Sequence, residues 1–294
     1  MAGLHRSPFH GFSVEFTDYR QYSPGDDPRY LDWKVYARTD RTFIKRFEDE
    51  TNLRCTILVD QSRSMGFGSL EFDKAEYAKT LAAALAYFLL KQRDAVGVLT
   101  FDQQIAEYVP ARFRAGQLRQ LLLALDRTPA GTSTDVSAAL DQMSRLVRHR
   151  GMVVLISDLL IPLEDFQTQL GYLVARGQDV VIFRVLDPAE IDFDFKRETL
   201  FEDAENARQI YVDPASTRQA YLRRFDEHSQ GIKQICASAG AELYTVSTGQ
   251  SFDQPLLEFI GSRARKTSQL TRRRETQRRN AQNQRRQQAA EETA

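Results

Sequence analysis

From Leu53 onward, short runs of Val, Ile and Leu alternate with longer stretches in which apolar residues recur every three or four positions. That alternation predicts a parallel sheet wrapped by helices. The predicted strands are Leu53 to Val59, Ala95 to Phe101, Met152 to Ser157, Asp179 to Val185 and Glu242 to Val246. Their apolar character is nearly continuous rather than alternating, as strands covered on both faces require. Helices are predicted over Glu71 to Gln92, Gly116 to Leu125, Asp135 to Val147, Leu163 to Ala175 and Pro214 to Ser238. In the first, Phe72, Ala75, Leu81, Ala82, Leu85, Phe88 and Leu89 share a helical stripe and the second half is apolar on every side, so it is expected to be deeply buried. The last begins with Asp213 before Pro214, an acidic cap followed by proline at the first helical position. The expected class is therefore α/β: a doubly wound, mostly parallel sheet with helices on both faces.

Three regions depart from this rhythm. Residues 1–50 carry a Pro-Gly-Asp-Asp turn at Pro24 to Asp27 and a polar-aromatic stretch from Tyr30 to Arg46, and are read as an appendage before a domain spanning 51–250. Residues 187–212 read as an inserted hairpin, with Thr199 to Phe201 and Gln209 to Val212 flanking a polar segment. Residues 251–294 read as a terminal helix followed by a Gln-, Asn- and Arg-rich tail too poor in apolar residues to build a core.

Composition narrows the class. With 42% hydrophobic and 27% charged residues the 294-residue chain can bury a core, which excludes wholesale disorder. The longest apolar run, Leu81 to Leu90, falls well short of the roughly 20 residues of a bilayer-spanning helix. The first ten residues, with His5, Arg6, Ser7 and Pro8, lack the apolar stretch of a secretory signal, so the cytoplasm is the expected compartment. Cys55 and Cys236, far apart in sequence, read as core thiols in a reducing environment. A net charge of zero hides an asymmetry: residues 261–294 carry +7 and the rest −7.

The candidate chemistry lies where the strands end. The first strand runs into Asp60-Gln61-Ser62-Arg63-Ser64, one carboxylate and two hydroxyls leaving a central strand on a tight loop. Open α/β sheets bind ligands at this edge. Hard oxygen donors suit a hard cation such as Mg²⁺, which prefers octahedral oxygen coordination and retains waters. Gly131-Thr132-Ser133-Thr134-Asp135 and Ser157-Asp158 lie at the same edge if the sheet is parallel, so Thr132 and Asp158 can join Asp60, Ser62 and Ser64. Thr134 is an alternative to Thr132, although its place beside Asp135 favours a helix cap.

These residues resemble a von Willebrand factor A domain with a metal-ion-dependent adhesion site, whose pattern is Asp-x-Ser-x-Ser, then a Thr in a small-residue loop, then an Asp after an apolar strand. Asp60, Ser62 and Ser64 match the first part, Thr132 the second and Asp158 the third. The resemblance implies a bound Mg²⁺, with Mn²⁺ as an alternative, and an open metal position that a partner's carboxylate fills. The stretch Tyr22 to Trp33, followed by Ala37-Arg38 and Lys45 to Glu50, resembles the signature of the bacterial DUF58 family, in which it precedes a von Willebrand-like domain. That resemblance implies a MoxR-type AAA+ ATPase as partner, with this chain as its adaptor in chaperone-like remodelling or assembly. Asp26, Asp27, Arg29, Asp32 and Arg38 are expected to form an ion-pair network with Trp33 packed over it, pinning the appendage or meeting the partner.

Two other classes are weaker on the sequence. Intrinsic catalysis lacks a Gly-x-x-x-x-Gly-Lys-Ser/Thr loop and a His-Glu-x-x-His helix, and Ser62 stands where a phosphatase of the Asp-x-Asp type carries its second carboxylate. Nucleic-acid or anionic-surface binding through Arg272 to Arg274, Arg278, Arg279, Arg285 and Arg286 lacks aromatic residues for base stacking. The expectation is a non-enzymatic, metal-dependent interaction module.

Overall fold

The computed structural model describes residues 14–22, 31–49, 53–102, 104–127, 150–195, 197, 199–202 and 209–263. The chain divides into two compact units, Leu53–Ala264 and a second comprising Met1–Asn52 and Arg265–Ala294.

In the smaller unit, β1 (Val14–Gln21) pairs antiparallel with β2 (Phe43–Asp49), with a register shift between Phe16 and Asp18. Between them lies α1 (Trp33–Thr39), whose N-terminal amides of Lys34 and Val35 donate to the Asp32 carboxylate at 2.9 and 3.2 Å. An aspartate at this position satisfies donors that the first helical turn leaves free.

The larger unit is a six-stranded sheet built from β3 (Arg54–Asp60), β4 (Ala95–Phe101), β5 (Ile105–Arg112), β6 (Met152–Ser157), β7 (Asp179–Leu186) and, nearest the end of the unit, β10 (Glu242–Ser247), in the order β10-β7-β6-β3-β4-β5. All neighbours are parallel except β4 and β5. Long helices make the crossovers: α2 (Lys74–Lys91) after β3, α3 (Gln117–Asp126) after β5 and α4 (Leu163–Ala175) after β6. After β7 come a short α5 (Pro188–Asp192), the antiparallel pair β8 (Thr199–Glu202) and β9 (Gln209–Val212), then α6 (Pro214–Ala239). A last helix, α7, occupies 253–263. Among the described residues no helix is long and apolar enough to cross a membrane.

Successive side chains of a strand point to opposite faces, so a strand buried on both faces must be apolar throughout. In β6 every residue is buried, and in β3 only Arg54 is exposed. Leu58, Leu155 and Ile182 pack on one face against Phe166, Leu170 and Leu173 of α4 and Ile232 and Cys236 of α6. The alternate residues Ile57, Val59, Val154 and Ile156 are equally buried, and α2 covers β3, β4, β6 and β7 with Tyr77, Leu81, Leu85 and Leu89.

The expected α/β class and the five parallel strands are therefore those observed, as is the hairpin within 187–212. Three expectations change. The sequence reading has no strand over Ile105–Arg112, because this edge strand is only half-buried and contains Pro110. Phe72 does not belong to the α2 stripe: it precedes the Asp73 cap and is exposed, and Phe88 is only half-buried. The stripe instead carries a charge, because Lys74 is completely buried. The helix predicted over Asp135 to Val147 and the basic tail lie outside the described residues.

Candidate functional site

Strands β3 and β6 are neighbours at the middle of the sheet, and the chain leaves them in opposite directions, β3 toward β4 and β6 toward β7. A crevice opens beyond the carboxyl ends of strands where the winding reverses in this way. The register that pairs Val59 with Ile156 brings Asp60 beside Ser157. Asp60 is fully buried, and its carboxylate accepts from the Ser62 amide at 2.9 Å and the Ser157 hydroxyl at 2.6 Å. Ser62 heads the 3₁₀ turn Arg63–Gly66, and the Ser62 and Ser64 hydroxyls share a hydrogen bond at 3.0 Å. Burial, reinforced by the nearby Asp158 carboxylate, pushes Asp60 up to about 6 in spite of the donors from Ser157 and Ser62.

Asp158 follows β6. One of its oxygens accepts from the Leu160 amide at 3.2 Å, the other from Lys74 Nζ at 2.9 Å. The same ammonium reaches Glu190 of α5 at 2.5 Å. Burial works against the Lys74 charge, but Asp158 and Glu190 outweigh it and hold the group above its usual range. Arg184 of β7, also buried, donates through Nε to the Asp158 carbonyl at 3.1 Å and through a terminal nitrogen to Ser229 at 2.8 Å. The next residue, Leu159, has φ +56, a conformation that a bulky side chain rarely adopts. Its amide donates to the Ser157 hydroxyl at 3.0 Å, and its carbonyl lies 3.0 Å from His228 Nε2.

Asp187 ties the loop after the 3₁₀ turn to the end of β7. It accepts from the amide and hydroxyl of Ser69, at 2.9 and 2.5 Å, from the Ala189 amide at 2.8 Å and from Thr248 at 3.3 Å. Burial alone raises its pKa, yet these donors bring it below the usual carboxylate range. It also forms a capping box with Glu190, so the residue that pairs with Lys74 is fixed at the start of α5.

Of the sequence-predicted residues, Asp60, Ser62 and Ser64 are brought together, and Asp158 adjoins them through Ser157 while pairing with Lys74. Thr132 and Thr134 lie outside the described residues, as do Asp26, Asp27 and Arg29. Asp32 serves as the α1 cap and Arg38 is exposed in that helix's last turn. Trp33 is 65% exposed and, among the described residues, meets Tyr36 edge-on at 6.2 Å, because the cap places it at the outset of a helix with no buried residue. Sequence reasoning missed Lys74, Asp187 and Glu190. Lys74 could have been found, since it sits in register with Ala78, Leu81 and Leu85, and a lysine in an apolar stripe demands a buried partner. Among the described residues no three His, Cys, Asp or Glu side chains converge as a metal-binding group. The site instead mixes hydroxyls, few carboxylates and an internal ammonium.

Residues 18–231 match the family described as "Protein of unknown function DUF58". An uncharacterized protein of Mycobacterium tuberculosis is 30% identical over 268 residues, covering 90% of this chain and 84% of its own. Among solved structures, the conserved hypothetical protein BatB from Bacteroides thetaiotaomicron is similar at 14% identity and a TM-score of 0.47, over 72% of this chain and 99% of that one. The SpRpn10 VWA domain is similar at 12% identity and a TM-score of 0.41, over 69% and 93% respectively. With the greater part of its length inside the family match, and a relative that aligns along nearly all of it, the chain belongs to the DUF58 family.

Proposed function

We propose that the carboxyl edge of the sheet is a divalent-cation site through which the chain binds a protein partner, and that the chain acts as an interaction module rather than an enzyme. The observation that carries this reading is the pair of hydroxyls, Ser62 and Ser64, 3.0 Å apart beside the buried Asp60 carboxylate. Hydroxyl and carboxylate oxygens are the donors a Mg²⁺ ion takes, and a site this short of carboxylates keeps the ion attractive to an outside anion. The raised pKa of Asp60 fits the same reading, since a cation would relieve its burial and its repulsion from Asp158. Asp60, Ser62 and Ser64 would hold the ion, with Thr132 and Asp158 completing the shell directly or through water. Lewis-acid attraction for a partner's carboxylate is what the ion supplies. The chain's own residues orient the donors: Ser157 and the Ser62 amide fix Asp60, and Lys74 fixes Asp158. From the family resemblance the partner is a MoxR-type AAA+ ATPase.

Calorimetric titration of Mg²⁺ and Mn²⁺ tests the site. The wild type is expected to bind and Asp60→Ala to lose binding, while Ser157→Ala, which removes only the hydroxyl holding Asp60, weakens it about 10- to 100-fold. Pull-down of the cognate ATPase with and without Mg²⁺ should follow the same order. Absence of cation binding by the wild type, or unchanged binding in Asp60→Ala, would overturn the metal reading.

A further inference from the structure

The inserted segment between β7 and α6 supplies none of the proposed cation ligands, yet with α6 it builds a cluster of packed aromatic rings. Phe193 stacks on Tyr221 at 4.4 Å and on Phe201 at 5.8 Å, and Phe195 meets both phenylalanines edge-on at 5.1 Å. These rings, with Phe67 and Val212, line a cavity of about 380 Å³. Ser64 lies in its wall, so the cavity begins where the candidate metal loop ends. Phe193 caps α5 with φ +48 and ψ +45, a left-handed conformation suited to glycine and uncommon for a bulky residue. Strain of this kind persists where the surroundings over-determine it and clusters at ligand sites.

Charge decides what the cavity takes. The charged side chains in its wall among the described residues, Glu190 and Glu202, are both acidic. Glu190 is already paired with Lys74, whereas Glu202 meets only the Gln209 amide at 3.3 Å among the described residues. The protein itself seats cations on these aromatics: Lys74 Nζ lies 5.9 Å from the Phe67 ring centre, and Arg184 lies 5.3 Å from that of Phe225, which stacks on Tyr221. A cavity walled by rings, with one uncompensated carboxylate, matches a side chain that has an apolar stem and a planar cationic head. We infer that this pocket receives an arginine side chain of a protein partner, its stem against the aromatic walls and its guanidinium paired with Glu202. The inference rests on the reading of this edge as the partner-binding edge but needs no metal.

The test is an NMR titration of the full chain carrying ¹³C-labelled phenylalanine rings, in EDTA, with N-acetyl-arginine methylamide and its citrulline and norleucine counterparts. The arginine compound is expected to shift the Phe193, Phe195 and Phe201 signals and to bind about tenfold more tightly than the isosteric, neutral citrulline compound. Glu202→Gln, an exposed position that the fold does not depend on, should reduce that preference about threefold and leave norleucine binding unchanged. Phe195→Leu should weaken all three. Equal binding of arginine and citrulline, tighter binding of norleucine, or no ring shift with any probe overturns the inference. Free arginine binding more tightly than its blocked form would make the pocket a small-molecule site and overturn the partner assignment. Repeating the titration on Asp60→Ala separates the two readings, because loss of the metal site leaves the pocket result unchanged.

Discussion

The two edges of the central sheet equip the same side chain differently. At the carboxyl edge, both oxygens of Asp60, of Asp158 and of Asp187 have donors, drawn from loops that follow different strands. At the amino edge, Asp94 precedes β4 and accepts only the Leu53 amide at 3.0 Å, and its second oxygen has no partner among the described residues. Burial then dominates, and Asp94 is pushed up to about 7. At the amino edge almost nothing offsets burial, whereas at the carboxyl edge donors oppose it, enough to bring Asp187 below its usual range but not to prevent the rise of Asp60 to about 6. A carboxylate that folding merely tolerates settles for a proton. One whose donors outweigh burial, as those of Asp187 do, keeps its charge, and charge is what an ion or a partner can read.

Removing the ammonium tests this contrast most severely. Lys74→Met preserves the length and apolar contact of the stem but leaves Asp158 and Glu190 without their shared cation. Breaking one side of a buried ion pair costs about 3–5 kcal/mol, far more than the pair contributes relative to an apolar replacement. Urea denaturation in EDTA should show a loss of that size, and Lys74→Met combined with Asp158→Asn should recover part of it. A loss below about 1 kcal/mol would mean that the carboxylates draw their compensation from elsewhere.

This difference in treatment also sets what the sequence could disclose. β3, β6 and β7 were legible because burial on both faces leaves an unbroken apolar run, whereas β5, half-exposed at the sheet edge, reads IAEYVPAR and resembles a loop. Asp60, Ser62 and Ser64 were legible because the pattern they form lies within five consecutive residues. Lys74 is 84 residues from Asp158 and 116 from Glu190, so their pairing exists only after β6 and β7 have been placed beside β3. The exposure of Trp33 was not legible for a related reason: an aromatic side chain is buried only when a neighbouring element is there to cover it, and α1 buries none of its residues.

The amino edge has its own signature in pH. The folded chain holds the Asp94 proton up to about 7, whereas the ordinary value is 3.8, so between these limits the folded state binds more protons than the unfolded one. The Asp94 contribution to stability is therefore fully present at the acid end of that window and is lost as pH rises through about 7. Asp94→Asn removes the titration. At about 1.36 kcal/mol per unit, the difference between wild-type and Asp94→Asn stabilities should change by about 2–4 kcal/mol across the window. Parallel pH profiles for the two proteins would show that Asp94 keeps its charge on folding and would erase the contrast between the edges.

The finest discrimination comes from salt, because the amino edge also holds an ion pair that water reaches. Arg263 of α7 pairs with Asp179 at the start of β7, lies 3.7 Å from Glu242 at the start of β10, and stacks over Phe259 at 5.5 Å. These side chains keep 12–23% of their surface exposed, against none for Lys74. Arg263→Gln should therefore cost only about 1 kcal/mol, part of it through lost packing of the stem on the ring. Raising salt from 0.1 to 1 M shortens the screening length from about 10 to about 3 Å, so the cost of Arg263→Gln should shrink. The cost of Lys74→Met should shrink less, because Lys74 and Asp158 are sealed from the solvent ions that would screen them and only Glu190, 16% exposed, is open to them. Equal salt dependence of the two variants would place both pairs in the same dielectric and reduce the distinction between the edges to the single proton on Asp94.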